Sequence, residues 1–375
     1  MLTTEFLIVG GGIAGASVGY ELAAHGSVIL VEREKQCGHH TTGRSAALLT
    51  EAWETPLIRS ITAAGRDFLE DPPFRFTDVP LVSPRPIMLI GRPDQSEAVD
   101  ASAEETRSQI PSVRLIDGSE ASELCPVLRP GYVERAVLEP DGRAIDVDSL
   151  LQGFLRGIKR RRGQVLTDSP VGAIVRDGAG WSVRAGGEDI RAEVLVNAAG
   201  SWADQVAALA GIEPIGLQPK RRTAFTFAPP EGTDVRRWPA VIDIDEQFYF
   251  EPEGVQLLGS PADQTPMDPH DVRHDEIDVA VGIERIQAAT TLEIRSIRRA
   301  WAGLRTFAPD GAPVVGPDPE DRQFVWLAGQ GGFGIMTSPG MARMATSLII
   351  DEELPAWMTR GGLREAEVRP DRLRP

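Results

Sequence analysis

The chain has 375 residues, 42% of them hydrophobic and 25% charged, with a formal net charge of -16. That length exceeds one ordinary domain and suits two packed ones, and the composition supports a folded core and excludes a disordered chain. So acidic a chain repels phosphate backbones and anionic membranes, which argues against either as a main partner and leaves a loose membrane association open.

Phe6–Val9 is a short apolar run suited to a buried parallel strand. Gly10–Gly15 follows as a glycine-rich turn. Ala14–His25 reads as a helix, with Gly26 past its end. Val28–Val31 is a second strand and ends at Glu32, which completes a βαβ opening. Gly38–Ala47 is polar and is predicted to pass into a helix. Leu57–Leu69 and Ala98–Gln109 read as helices, with a proline-rich, irregular or extended Pro72–Pro93 between them as the crossing into a second domain. Asp117–Leu124 is predicted helical. Ile145–Arg161 is a helix capped by Asp146 or Asp148, with its apolar face at Leu150, Leu151, Phe154, Leu155 and Ile158.

Val165–Ala173, Gly180–Ala185, Asp189–Ala192 and Val194–Val196 read as strands. Ala203–Ala210 is a short helix. Thr223–Ala228, Ala240–Ile244, Phe248–Glu251 and Gln256–Gly259 suggest an antiparallel sheet. Ile277–Thr291 is a helix, Phe324–Ala328 a last buried strand and Pro339–Ile350 a closing helix. Thus βαβ elements begin, interrupt and end the chain, with antiparallel material between them.

Two cysteines, Cys37 and Cys125, form no CxxC, and five scattered histidines add no metal site. Met1–Phe6 lacks a basic n-region, and no apolar run reaches the length of a membrane span. The expectation is a reducing, cytoplasmic setting without an integral membrane segment.

Chemistry enters with Gly10-x-Gly12-x-x-Gly15, placed between a strand and a helix. The first glycine allows the tight turn, the second a close approach to a pyrophosphate, and the third close helix packing. Glu32, at the end of the next strand, stands where ribose hydroxyls are held. FAD and NAD share this fingerprint. Three further segments decide: Thr41-Thr42-Gly43-Arg44-Ser45-Ala46-Ala47, Val194–Trp202, and the glycine-rich Gly329–Ser338. The last runs into a helix whose N-terminus can stabilise negative charge on a reduced flavin.

In this order, with Arg305, Pro309-Asp310-Gly311 and Gly316, these segments resemble the D-amino-acid oxidase superfamily of FAD-dependent oxidoreductases. Thr42–Ala47, Ser83–Pro86, Leu217–Arg222, Trp301–Arg305 and Gln330–Ile335 are similar to the bacterial D-arginine dehydrogenases within it. The resemblance implies an α/β fold with a Rossmann-like, glutathione-reductase-type FAD-binding domain. An α+β substrate domain on an antiparallel sheet is inserted into it. The expected parts are 1–82, 143–219 and 295–375 for FAD, and 83–142 and 220–294 for substrate.

The implied FAD site comprises Gly10, Gly12, Ala14, Gly15, Glu32, Arg33, Thr41, Thr42, Gly43, Arg44, Ser45, Ala46, Ala47 and Leu48. Val171, Ala199, Gly200, Trp202, Gly303, Gly331, Gly332, Phe333, Gly334, Ile335 and Met336 complete it. Arg305, Tyr249 and Arg222 are the implied catalytic positions, with Arg305 favoured as a bidentate carboxylate clamp. The competing readings are an ion pair for Arg222, within its basic cluster, and sheet packing for Tyr249. Leu48, Trp53, Ile87, Ala240, Ile242 and Gly332 are the implied substrate pocket.

D-arginine dehydrogenases carry histidine, tyrosine and glutamate where this chain has Leu48, Trp53 and Ile87. An isoleucine cannot pair a buried cation. The expected substrate is therefore an apolar or non-basic D-amino acid. Hydride transfer from Cα to flavin N5 would give an imino acid, which hydrolyses to a 2-oxo acid and ammonia. Two alternatives stand: oxidation of a secondary amine or N-substituted glycine, and an FAD-containing non-catalytic or electron-transfer subunit. Either O₂ or a quinone is the expected electron acceptor, and the chain is expected to be a monomer or homodimer.

Overall fold

A computed structural model of the chain describes residues 1–375 except 52–54, 108–109, 352 and 375. Trp53 falls outside the described residues.

The first sheet is built on the predicted βαβ unit. Leu2–Val9 lies between Val28–Val31 and Glu188–Asn197 and runs parallel to both. Gln164–Leu166 extends the parallel set on one side and Phe324–Ala328 on the other. Both sheet faces are covered, which is why these strands are continuous apolar runs. Helices Ile13–Leu22, Val147–Arg160 and Gly334–Ile350 pack one face through Ile8, Phe154, Ile158 and Met344. Trp181, Trp326 and Ala203 fill the other. Asp146 caps its helix by accepting from Ser149 N at 2.9 Å.

The second sheet has ten strands. Its path runs from Gln330–Gly331 through Ile297–Phe307, Gln218–Phe227, Gln256–Ser260, Tyr249–Glu253 and Ala240–Asp243. It continues through Ile87–Gly91 and Arg135–Glu139 to Arg114–Asp117. Neighbours on this path pair antiparallel, except Ala240–Asp243 with Ile87–Gly91, which is parallel. A three-stranded sheet of Leu48–Leu49, Arg143–Ile145 and Val82–Pro84 lies in neither large sheet.

Four expectations are corrected. The polar segment after Gly38 forms only a 3₁₀ turn, Thr42–Arg44, and then the strand Leu48–Leu49. Glu188–Asn197 is one strand, not two. The closing helix begins at Gly334, so Pro339 lies inside it; the Ile335 carbonyl, which a proline nitrogen cannot serve, accepts from Ser338 Oγ at 2.8 Å. Ile297–Phe307 was not anticipated as a strand, because its first half is basic and exposed. It pairs along Gln218–Phe227 in the ten-stranded sheet, so the boundary expected at 294/295 does not separate it from the substrate-side strands.

Among the described residues no helix is long and apolar enough to cross a membrane. Burial pushes the Cys37 thiol up to about 11 and the Cys125 thiol up to about 12, so both stay protonated at neutral pH.

Register places side chains on shared faces with a period of two. Tyr249 and Glu251 therefore point the same way from one strand, and Glu251 is buried. Burial raises its carboxyl from 4.5 to about 7, opposed by the charge of Arg85. The folded state thus holds this proton more tightly than the unfolded chain. Its contribution to stability falls as pH rises from 4.5 to about 7 and stays lost above that. Glu251→Gln is expected to remove this slope. Measured by urea unfolding, the gap between parent and variant should move by roughly 3 kcal/mol at most across the window, in the variant's favour at higher pH. A gap that does not change with pH would contradict the raised carboxyl.

Candidate active site

The glycine turn is shaped by backbone contact. Gly10 has φ +111°, and a side chain there would come within 2.4 Å of the Ala198 carbonyl. A Cβ on Gly15 would lie 1.9 Å from the Gly10 carbonyl. Only glycine fits either position. Helix Ile13–Leu22 starts at Gly12 without a side-chain cap, and Ile13 N donates to Thr42 Oγ1 at 3.0 Å. Glu32 is buried and accepts from Gly11 N at 2.7 Å and from Glu34 N at 2.8 Å.

A cleft of about 440 Å³ opens here, lined by Gly10, Gly12, Glu32, Arg33, Thr41, Thr42, Val171, Ala199, Gly200 and Trp202. Arg33 lies over the Trp202 ring at 5.0 Å, and the His40 ring stands 4.6 Å from it. The histidines are less scattered than expected. Glu34, His39 and His40 bring ligand atoms within 4.8 Å of one another, a spacing that suits a metal ion. Glu34 Oε1 already meets His40 Nε2 at 3.0 Å and Arg33 Nε at 3.2 Å, so the Arg33 guanidinium balances its charge without a metal ion. Burial lowers the His40 pKa from its ordinary value, against the pull of Glu34.

A second chamber of about 130 Å³ shares Gly12, Thr41, Thr42, Ala198, Gly200 and Ser201 with the first, so the two form one groove. Ala14, Arg44, Ser45, Ala46, Gly303, Gly331, Gly332, Gly334 and Ile335 line it, together with Arg222, Tyr249 and Arg305. Helix Gly334–Ile350 begins at its wall, again without a side-chain cap. Two uncapped helix starts therefore turn free N–H groups and partial positive charge toward one groove. With the glycine cradle and the Glu32 carboxylate, this donor set fits FAD: anionic phosphates at Gly12, ribose at Glu32, a flavin ring near Gly331–Ile335.

Gly15 and Gly43 sit behind the wall and shape it; Gly43 N donates to the Gly38 carbonyl at 2.8 Å. Ala47, Phe333 and Met336 adjoin lining residues without lining the groove themselves.

Three strands of the ten-stranded sheet supply the polar groups of the second chamber. Arg222 and Ala224 come from Gln218–Phe227, Tyr249 from its own strand, and Gly303 and Arg305 from Ile297–Phe307. Arg222 pairs with Gly303 in register, so their side-chain positions share a face. Arg222 is 6% exposed. Its Nε donates to the Asp263 carbonyl at 2.9 Å. Among the described residues, neither Nη1 nor Nη2 has a hydrogen-bond partner. Arg305 lies against Gly332, where a Cβ would come within 2.7 Å of its Nη1.

Leu48, Ile87, Ala240 and Ile242 do not line the groove. They belong to the apolar cluster against which Tyr249 packs. Ile242 is paired with Tyr249, and Ala240 with Ile87. Two buried carboxyls on this face were missed by sequence reasoning. Glu139 is paired with Ile87, and accepts from Thr50 Oγ1 at 2.6 Å and from Glu51 N at 3.1 Å. Glu251 lies two residues from Tyr249. Only the alternation along strands that were themselves unpredicted would have found Glu139.

A family model described as DAO, FAD dependent oxidoreductase, matches residues 5–348. Mitochondrial dimethylglycine dehydrogenase of Rattus norvegicus is 24% identical, over 94% of this chain and 43% of its own length. The chain thus spans less than half of that relative. Glycine oxidase of Pseudomonas putida is 23% identical, over 94% of this chain and 96% of its own. Among solved structures, L-proline dehydrogenase from P. horikoshii superposes with a TM-score of 0.83 at 20% identity, covering 97% of this chain and 100% of that one. Iminodiacetate oxidase from Chelativorans sp. BNC1 gives 0.80 at 19% identity, over 97% and 99%. These likenesses at low identity establish the shared fold. With a family model spanning most of its length and a groove built for the dinucleotide, the chain belongs to the DAO family of FAD-dependent oxidoreductases.

Proposed function

We propose that this chain oxidises the carbon–nitrogen bond of a small amine that bears a carboxylate, in the first instance a D-amino acid with an apolar side chain. The supporting observation is Arg222, which lines the chamber with Tyr249 and whose buried Nη1 and Nη2 have no hydrogen-bond partner among the described residues. Buried guanidinium nitrogens without a hydrogen-bond partner are costly, and a substrate carboxylate accepted side-on would offset that cost. Arg222, rather than Arg305, is then the better candidate for the primary clamp.

Tyr249 would donate to the same carboxylate; among the described residues its hydroxyl has no hydrogen-bond partner. Arg222 would also lower the pKa of the substrate's ammonium and favour the neutral amine, whose lone pair must be free as the bond oxidises. Bound FAD supplies the acceptor for the two electrons, and water then hydrolyses the imine to a 2-oxo acid and ammonia. Positioning of the substrate against the flavin would then carry the rate. The final electron acceptor in this reading is O₂ or a quinone.

A second reading is oxidation of a secondary amine or N-substituted glycine. It is supported by relatives named dimethylglycine dehydrogenase and by a structural neighbour named iminodiacetate oxidase. The same clamp would serve it.

Anaerobic bleaching of the flavin band by a panel of D-amino acids, L-amino acids and N-methylated glycines distinguishes the two. Apolar D-amino acids should bleach it and D-arginine should not. Bleaching by N-methylglycines alone would select the second reading, and none by any member would favour a non-catalytic subunit. Arg222→Lys is expected to raise KM for the bleaching substrate roughly 100-fold through loss of the bidentate pair. Gly332→Ala should displace Arg305, given the 2.7 Å approach, and reduce kcat/KM while FAD content is unchanged. Unchanged kinetics in both variants would place the substrate elsewhere.

A further inference from the structure

Asp263 is not among the groups that line the chamber, yet it controls the one that matters most. Its carbonyl accepts from Arg222 Nε at 2.9 Å, and this is the only hydrogen bond recorded for the Arg222 side chain among the described residues. Its carboxylate accepts from the next residue of the same strand, Thr223 N at 2.6 Å and Thr223 Oγ1 at 3.2 Å. It also lies 3.5 Å from Arg221 Nε.

The loop that carries Asp263 is itself pinned. Ser260 Oγ donates to the Thr223 carbonyl at 2.6 Å and accepts from Ala262 N at 3.1 Å. Ala262 sits at φ +55°, a left-handed conformation that an alanine adopts only when its surroundings enforce it. The carboxylate side chain is 9% exposed and so largely shielded from water. One residue thus ties a strained loop to the Arg222–Thr223 backbone and presents a carbonyl to the inner edge of the guanidinium. The other two nitrogens, Nη1 and Nη2, are left without a hydrogen-bond partner among the described residues, on a side chain that lines the chamber.

We propose that Asp263 is the positioning residue of Arg222, so that affinity for the substrate carboxylate is governed by a group that never touches substrate. This rests on the reading of Arg222 as the carboxylate clamp. The negative charge has a second consequence. The Asp263 carboxylate, bonded to Thr223 and interacting with the Arg222 charge, helps keep a buried cation tolerable before substrate binds.

The test compares Asp263→Ala, Asp263→Asn and Arg222→Ala in the FAD-loaded enzyme, using the best substrate of the bleaching panel and its carboxamide. Asp263→Ala should raise KM for the acid at least tenfold. The limiting rate of flavin reduction should stay within twofold, and turnover of the carboxamide should be unaffected. Asp263→Asn, which keeps an acceptor for Thr223 N, should recover most of the affinity. In the Arg222→Ala background, Asp263→Ala should add nothing.

An equal loss for acid and carboxamide, or a fall in the limiting rate with loss of FAD, would make Asp263 a structural residue and overturn the proposal. So would a large effect of Arg222→Ala with none from Asp263→Ala. If Arg222→Ala itself leaves KM for the acid unchanged, the clamp reading fails first, and this inference with it.

Discussion

Among the described residues the Arg222 side chain donates once, through Nε to the Asp263 carbonyl, and its two terminal nitrogens are buried without a partner. No other polar arrangement in the chamber constrains the molecule as much. A cation can be held this way only on a rigid support. The strand that carries it is paired along most of its length on one side by Ile297–Phe307 and on the other by Gln256–Ser260. The aromatic core beneath, with Phe225, Phe227 and Phe250, fixes that strand's height. The cost of the unpaired edge is thus borne by ordinary sheet packing, and it is offset when an anion arrives.

The two sheets meet at the groove through side chains that cross between them. Thr41 Oγ1 donates to the Leu304 carbonyl at 2.7 Å, and Ser201 Oγ stands 2.8 Å from Thr306 Oγ1. Arg44 reaches the Val272 and Ala302 carbonyls at 2.9 and 3.0 Å and pairs with Asp271. Trp301 Nε1 answers by donating to the Arg44 carbonyl at 2.9 Å. The loop expected to hold the cofactor is therefore bonded to the strand that carries Gly303 and Arg305. Ordering one orders the other, which explains why a hydroxyl-rich, arginine-bearing loop suits this place better than the helix expected there.

The cofactor end was legible because its determinants are local. Gly10, Gly12, Gly15 and Glu32 lie within one βαβ unit, and their spacing alone states the turn, the helix start and the ribose position. Phe324–Ala328 was legible for the same reason, being a buried apolar run bounded by polar residues. The substrate end depends on register between strands far apart in sequence. Ile87 meets Glu139, and Arg222 meets Gly303, through pairings that no periodicity encodes. Ile297–Phe307 escaped notice because its alternation is broken by exposed arginines. The dangling edge of Arg222 is invisible in sequence, since it is defined by what other residues fail to do.

The wall behind Tyr249 shows how far specificity can be argued from burial. Leu48, Ile87, Ala240 and Ile242 give it an apolar surface, while Glu139 and Glu251 lie on the same face. The two carboxyls are held in different ways. Glu139 already accepts from Thr50 and Glu51 and so holds the segment next to Leu48 in place. Glu251 is held protonated by burial up to about pH 7, and a neutral acid offers no counter-charge. Beside Glu251 a guanidinium or ammonium would be desolvated without a counter-charge, whereas an alkyl group would meet dispersion contacts at no such cost. The proposed preference for an apolar substrate thus rests on the apolar wall and on the protonated Glu251 together.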